Sequence, residues 1–335
     1  MNNLKFSFII PVYNRPEEIN ELLQSFISLE GDIPFEIVIV EDGSSIDCKT
    51  IIEKYTSELE ISYYFKSNSG PGDSRNYGMK KAKGNYFIIL DSDCLLPKSY
   101  LLIVSNYLEK NYVDCFGGPD AAHESFSDLQ KAINFSMTSF ITTGGIRGGR
   151  DSDSFQPRSF NMGLSKKAFE DSGGFGTIHP GEDPDLSIRL NTLGYKTVLI
   201  RNAFVYHKRR ISWKKFYQQV HKFGLVRPIL NKWHPDTKRI TYWFPTLFLM
   251  GLIMSIVLVF LGFNYGLYVY GLYFIVAFLT ALLNTRNLKV TIQAIIAICV
   301  QFYGYGLGFI KSTISIGLLN KDPESHYPKL FFKNV

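Results

Sequence analysis

Cysteine is scarce in this chain: four residues in 335, Cys48, Cys94, Cys115 and Cys299, with no CxxC pair and no zinc-type spacing. A disulfide-built scaffold and a structural zinc domain are thereby excluded, and the four read as reduced, buried thiols of a cytoplasmic domain. No secretory leader is expected either. Lys5 leads at once into Phe6-Ser7-Phe8-Ile9-Ile10-Pro11, an apolar run too short for a signal core and closed by proline. No nucleic-acid recognition module is present, so the net charge of +6 does not point to DNA or RNA.

The last scarcity is local. Charged residues make up 20% of the chain, yet between Trp243 and Ile310 only Arg286 and Lys289 carry charge. This divides the chain into a polar domain over 1–240, a membrane region over 241–320 and a short tail over 321–335. Trp243 to Phe263 and Tyr265 to Leu283 are uncharged and long enough to cross a hydrocarbon core of ~30 Å as helices. They read as a hairpin turning at Asn264. A third segment, Val290 to Ile310, carries Gln293, Gln301 and three glycines, and is compatible with a further span or with a helix lying in the interface. Lys208-Arg209-Arg210, Lys214-Lys215, Lys222, Arg227, Lys232, Lys238 and Arg239 crowd before the first span. Cations in that position mark the cytoplasmic flank and attract anionic headgroups. The expected location is the inner (cytoplasmic) membrane, multi-pass, with the polar domain cytoplasmic and the Asn264 turn opposite.

The polar domain alternates two periodicities. Phe6 to Ile10, Phe35 to Val40, Ile61 to Phe65 and Tyr86 to Leu90 are short apolar runs of the kind that form strands buried on both faces. Pro16 to Leu29, Asp47 to Leu59 and Ser74 to Ala82 read as helices between them. The fold class is therefore α/β with a mostly parallel sheet. Such sheets bind ligands beyond the carboxyl ends of their strands, where Tyr13-Asn14, Asp42 and Asp91-Ser92-Asp93 fall. Further on, Asp183 to Leu193 reads as a helix, Lys196 to Ile200 as a strand, and Trp213 to Phe223 as an amphipathic helix. Gly144-Gly145-Ile146-Arg147-Gly148-Gly149-Arg150 reads as a loop whose arginines are suited to phosphate oxygens.

Asp91 and Asp93 stand one residue apart after a buried strand and share a side if the backbone there is extended. Paired carboxylates of this kind suit hard divalent cations, Mg2+ or Mn2+, that also bridge substrate phosphates. Asp183, before Pro184, is compatible with a helix N-cap.

Phe8-Ile9-Ile10-Pro11-Val12-Tyr13-Asn14, Ile39-Val40-Glu41-Asp42-Gly43-Ser44, Gly70 through Arg75-Asn76, Asp91-Ser92-Asp93 and Gly181-Glu182-Asp183 occur in that order. This ordered set resembles the signature of family-2 glycosyltransferases of the membrane-anchored bacterial type. The resemblance implies a GT-A fold, a nucleotide-diphosphate sugar donor (a UDP-sugar before a GDP-sugar), a divalent metal and inversion at the anomeric carbon. It implies that Pro11 and Tyr13 line the base and ribose pocket, that Asp42 accepts from the base, and that Arg75 approaches the nucleotide. It implies that Asp91 faces the ribose or the metal, and that Asp93 binds the metal directly. Glu182 would stand on the acceptor side and Asp183 would be the base; His207, closing a strand, would complete the metal shell. The Gln-x-x-Arg-Trp motif of the processive synthases is missing, and Gln218-Gln219-Val220-His221 stands in the comparable region. Addition of a single sugar to a lipid-linked or glycan acceptor is the expected reaction. A polyprenyl-phosphate sugar synthase and a non-catalytic nucleotide-sugar-binding scaffold are the alternatives.

Overall fold

The structure is a computed structural model that describes residues 4–144, 155–208 and 212–332. The chain forms two compact units, one of Met1–His123, Arg150–Lys208 and Phe331–Val335, the other of Glu124–Gly149 and Arg209–Leu330.

The first unit is built on β1 (Phe6–Val12), β2 (Phe35–Asp42), β3 (Ile61–Lys66), β4 (Tyr86–Leu90), β5 (Cys94–Leu95), β6 (Cys115–Gly117), β7 (Asp120–Ala121), β8 (Asn161–Ser165), β9 (Thr197–Leu199) and β10 (Val205–His207). Seven of these form one sheet in the order β3-β2-β1-β4-β8-β6-β9, and β5-β10-β7 form a small second sheet. β3, β2, β1 and β4 run parallel, whereas β8 is antiparallel to both β4 and β6. The sheet is thus mostly parallel, as its apolar runs require.

Alternation along the strands divides the core. Phe8, Ile10, Ile37 and Ile39 face α1 (Pro16–Ile27) and α4 (Tyr100–Lys110), burying Leu22, Phe26, Tyr100 and Val104. Ile9, Val38 and Val40 point to the other face, against Met79 of α3 (Pro71–Lys81), Phe169 of α7 (Lys166–Ser172) and Leu186 of α8 (Glu182–Thr192). The helix expected from Asp47 to Leu59 is much shorter. Only α2 (Lys49–Ile52) is helical, and the chain continues in tight turns such as Lys54 N to Ile51 O and Tyr55 N to Ile52 O. The helix expected from Ser74 begins earlier, at Pro71, since proline is well suited to the first helical turn.

The second unit is helical: α5 (Asp128–Thr138), α6 (Phe140–Thr143), α9 (Trp213–Trp233), α10 (Phe244–Val259), α11 (Tyr265–Thr285) and α12 (Leu288–Ser312). α5 opens with a capping box in which Ser127 and Gln130 satisfy each other's backbone. α9 runs ten residues beyond the expected Phe223 and includes Pro228. The segments Ile240–Val259, Tyr265–Thr285 and Leu288–Leu318 are each long and apolar enough to cross a membrane. Of the glycine-rich stretch, Gly144 closes α6 in the left-handed region, and residues 145–150 lie outside the described residues.

Glycines set how closely α9 and α12 approach. A Cβ on Gly224 would lie 2.2 Å from the Tyr305 carbonyl oxygen, and one on Gly308 would lie 2.3 Å from that of His221. The obstacles are backbone atoms, which cannot turn aside as a side chain does. Gly308→Leu is therefore expected to destabilise the unit by about 1–3 kcal/mol through overpacking, read as a lower melting temperature of the detergent-solubilised protein. An unchanged melting temperature would contradict the close packing.

Candidate active site

Three strand ends and one helix start converge on one rim of the first unit. β4 ends at Leu90, and the chain then turns, with Cys94 N donating to Asp91 O at 3.1 Å. Asp91 and Asp93 are thus on a turn and not on the extended backbone expected for them. His207 reaches them through strand pairing, because β10 is antiparallel to β5 with His207 opposite Cys94. Its Nε2 lies 3.2 Å from Asp93 Oδ1 and 3.9 Å from Asp91 Oδ2. The imidazole stacks on Phe160 with centroids 4.9 Å apart.

These residues pass a chemical test as cation ligands. Two donors at right angles on one Mg2+-sized cation lie ~3 Å apart, given bonds of ~2.1 Å, which matches the Asp93–His207 separation. Cys94 offers a third ligand atom, all three lying within 4.8 Å of one another. Its thiol instead donates to the Phe160 carbonyl at 3.4 Å, and burial pushes its pKa well above the ordinary value. A hard cation is left with carboxylate oxygen and imidazole nitrogen, a set compatible with Mg2+ or Mn2+.

Asp93 has another partner that motif reading missed: Arg15 Nη1 donates to its Oδ2. Asp93 is the largest influence on this guanidinium and raises its pKa further. Arg15 immediately precedes α1, so the loop after β1 delivers a cation to the carboxylate after β4. Asn14 shapes the same loop. Its φ of 52° is left-handed, a conformation asparagine tolerates better than most residues. Its Oδ1 accepts from Ser45 N at 2.9 Å and Ile46 N at 3.0 Å, tying the ends of β1 and β2 together.

Asp42 is only 4% exposed, and both its oxygens are engaged by its own neighbourhood. Oδ1 accepts from Lys66 Nζ at 2.7 Å and Ser69 N at 2.9 Å. Oδ2 accepts from Gly70 N at 2.9 Å and Asn68 Nδ2 at 3.3 Å. The carboxylate therefore organises the loop that leads into α3. Pro11 is buried within β1, whereas Tyr13 just beyond it is 54% exposed.

Arg75, on α3, is buried and doubly paired. Nη2 donates to Asp91 Oδ1 at 2.7 Å and Nη1 to Glu182 Oε1 at 3.0 Å. Burial lowers its pKa, but the two carboxylates more than offset that. Glu182 Oε1 also lies 3.0 Å from His179 Nδ1. Burial raises the Glu182 pKa, yet His179 and then Arg75 outweigh it and hold the group below the usual glutamate range. Gly181, at φ 124°, takes the cap position of α8, which places Asp183 inside the first turn instead of at the N-cap. Asp183 Oδ2 lies 3.6 Å from Arg158 Nη1, and its side chain is 17% exposed. Of the residues expected at the site, the structure brings together Asp91, Asp93, His207, Arg75 and Glu182 through contacts of 2.7–3.9 Å, with Asp183 next along α8. Arg15, Asn14 and His179 were missed; their signal is adjacency to the Tyr13 and Glu182 motifs.

The arrangement, a mostly parallel sheet with carboxylates after β4, an imidazole closing β10 and an acidic helix start opposite, is that of a GT-A fold. The sequence model for glycosyl transferase family 2 matches residues 7–173, and the chain belongs to that family. An uncharacterized glycosyltransferase of Rickettsia conorii is 38% identical over 111 residues, 33% of this chain and 18% of that protein. The poly(ribitol-phosphate) beta-N-acetylglucosaminyltransferase TarS of Staphylococcus aureus is 34% identical over 116 residues, 33% of this chain and 20% of that protein. The matches therefore cover about a fifth of the length of these curated relatives. Among solved structures, a mannosyltransferase from Pyrobaculum calidifontis in complex with GDP-Man and Mn2+ aligns with 95% of this chain and 88% of its own. The TM-score is 0.57 at 14% identity, a likeness of fold.

The depressed Glu182 pKa has a consequence for acid stability. Below the unfolded glutamate value of about 4.3 the unfolded chain takes up a proton that the folded chain still refuses. Stability from this group is complete above that value and lost as pH falls toward the lower folded one. Glu182→Gln is expected to flatten the loss between pH ~5 and ~3 by up to about 1.4 kcal/mol per pH unit. Parallel slopes for the two proteins in denaturant titrations at each pH would rule this out.

Proposed function

We propose that the chain is an inverting, metal-dependent transferase. It would move one sugar from a nucleotide-diphosphate sugar to a lipid-linked or membrane-proximal glycan acceptor. The observation that carries this is the close set of Asp93 Oδ1, His207 Nε2 and Asp91 Oδ2 at the end of β4. Asp93 and His207 would hold a divalent cation, Mg2+ or Mn2+, with Asp91 beside them or facing the ribose. When bound, such a cation neutralises charge on the leaving diphosphate. Tyr13, with its exposed ring, would cover the base and ribose. Pro11 would support it from within β1. Asp42 would accept from the base on giving up its longest bond, the one from Asn68. Arg75 holds Asp91 and Glu182 in place and would approach the nucleotide.

Asp183 would be the base. As the acceptor oxygen bonds to the anomeric carbon, the bond from that carbon to the diphosphate oxygen breaks. The acceptor's hydroxyl proton passes to Asp183. Arg158 Nη1, 3.6 Å from Asp183 Oδ2, would help orient the carboxylate. Support for a nucleotide-sugar donor comes from the family and from the Pyrobaculum mannosyltransferase, which shares the fold and is complexed with GDP-Man and Mn2+. The apolar helices and the cations before them support the inner membrane, with the catalytic unit cytoplasmic.

A panel of UDP- and GDP-sugars with Mn2+, read by nucleotide release, tests the reaction. Asp93→Ala is expected to abolish most turnover and weaken donor binding in Mn2+ while the fold survives. Full turnover in chelator would sink the metal role. Asp183→Asn is expected to lower kcat by about 10²-fold or more with donor affinity unchanged. An acceptor phosphate, already ionised, needs no base, so near-normal turnover in Asp183→Asn would shift the reading to a polyprenyl-phosphate acceptor. No nucleotide release with any donor would leave a binding scaffold.

A further inference from the structure

We infer that α10 and α11 alone cross the bilayer, and that α12, although long and apolar enough, lies with α9 in the headgroup layer on the catalytic side. The inference rests on the proposed membrane location and decides a topology that hydropathy leaves open.

Parity limits the number of crossings. The chain leaves the first unit after Lys208 and is back in it at Phe331. That return is a built contact. Phe331 forms an antiparallel bridge with Ile178, and Phe332 N donates to Thr177 O at 2.9 Å. The Phe332 ring lies so close to Gly70 that an added Cβ there would meet it at 2.3 Å. A chain that departs from and rejoins one folded unit crosses a bilayer an even number of times. Three crossings are odd.

Packing then identifies the helix that stays out. The apolar windows of the first two segments are 17% and 11% buried within the protein, whereas that of the third is 44% buried. α10 and α11 offer their surfaces to lipid; α12 spends much of its own on other helices. Its contacts with the hairpin gather at one end. Thr246 Oγ1 donates to Gly306 O at 3.1 Å, in the first turn of α10. Val290 and Ala294 share a buried cluster with Ala277 and Ala281, in the latter half of α11. The start of α10 and the end of α11 belong to the same membrane face, so α12 lies across that face.

α9 fixes the depth. The glycine contacts place Val220 beside Gly304 and Gly224 beside Phe309, so the two helices run parallel and in register. Farther along, Lys232 Nζ donates to Asn320 Oδ1 at 2.6 Å. Lys214, Lys215, Lys222 and Lys232 on α9 are all exposed. Exposed lysines are excluded from hydrocarbon but favoured among anionic headgroups. A helix whose backbone touches α9 along this length shares that level. The occupant of the exposed α9 face is the anionic headgroup layer.

Single cysteines introduced by Lys98→Cys, Asn264→Cys and Lys321→Cys in a Cys299→Ser background test the topology, using an impermeant maleimide on intact cells and inverted vesicles. Positions 98 and 321 are expected to label from one side and 264 from the other. Position 321 labelling with 264 would overturn the parity argument and give α12 a crossing. All three labelling from one side would sink the membrane-crossing hairpin itself, a separate failure. A spin label replacing Leu307 checks the depth of α12 by collisional quenching. Headgroup depth is expected, and a value at the bilayer centre would overturn the inference even with the predicted labelling.

Discussion

A single buried guanidinium holds the rim together. Arg75 comes from α3, Asp91 from the turn after β4, and Glu182 from the start of α8, so one side chain ties three elements distant in sequence. Taking a charge out of water is costly unless it is paired, and removing one partner strands the other. The positions of Asp91 and Glu182 are therefore mutually dependent through Arg75. Asp91, on the donor side, is thereby linked to the acidic start of α8. The Arg75 Nε and Glu182 Oε2 atoms are buried without a hydrogen-bond partner among the described residues, so the bridge is also incompletely satisfied.

The sheet was legible because its strands are almost pure apolar runs, and Phe8 to Ile10 or Ile37 to Val40 leave no competing pattern. What periodicity could not convey was the turn at Asp91-Ser92-Asp93, or β8 returning antiparallel beside β4. Nothing local in Asn161-Met162-Gly163-Leu164-Ser165 specifies a strand direction. The α2 region misled because its apolar spacing is helical while the chain beyond Ile52 closes into tight turns. Metal-ligand spacing did not reveal the approach of His207 to Asp93. It follows from β5–β10 pairing across more than a hundred residues, and only family resemblance anticipated it. Arg15 escaped for a similar reason: its partner is far along the chain.

The helical unit follows other rules. Its apolar composition made the hairpin readable, but composition describes what a helix can tolerate, and the surroundings decide where it rests. Gly224, Gly304 and Gly308 allow two backbones to meet, and the polar pair Ser136–Gln301, at 2.8 Å, links α5 to the same helix. Such contacts make α12 a protein-facing element despite its hydropathy.

The Arg15 ion pair carries a consequence for the order of events at the rim. Asp93 offers two oxygens, one facing His207 and the other held by a guanidinium. A divalent cation settling there meets a positive neighbour already in residence, and the two repel unless Arg15 finds another anion. The diphosphate of a donor is such an anion, and arginine binds its oxygens readily. Metal and nucleotide would then arrive as a counter-ion exchange, with Asp93 left to the dication and Arg15 to the phosphate.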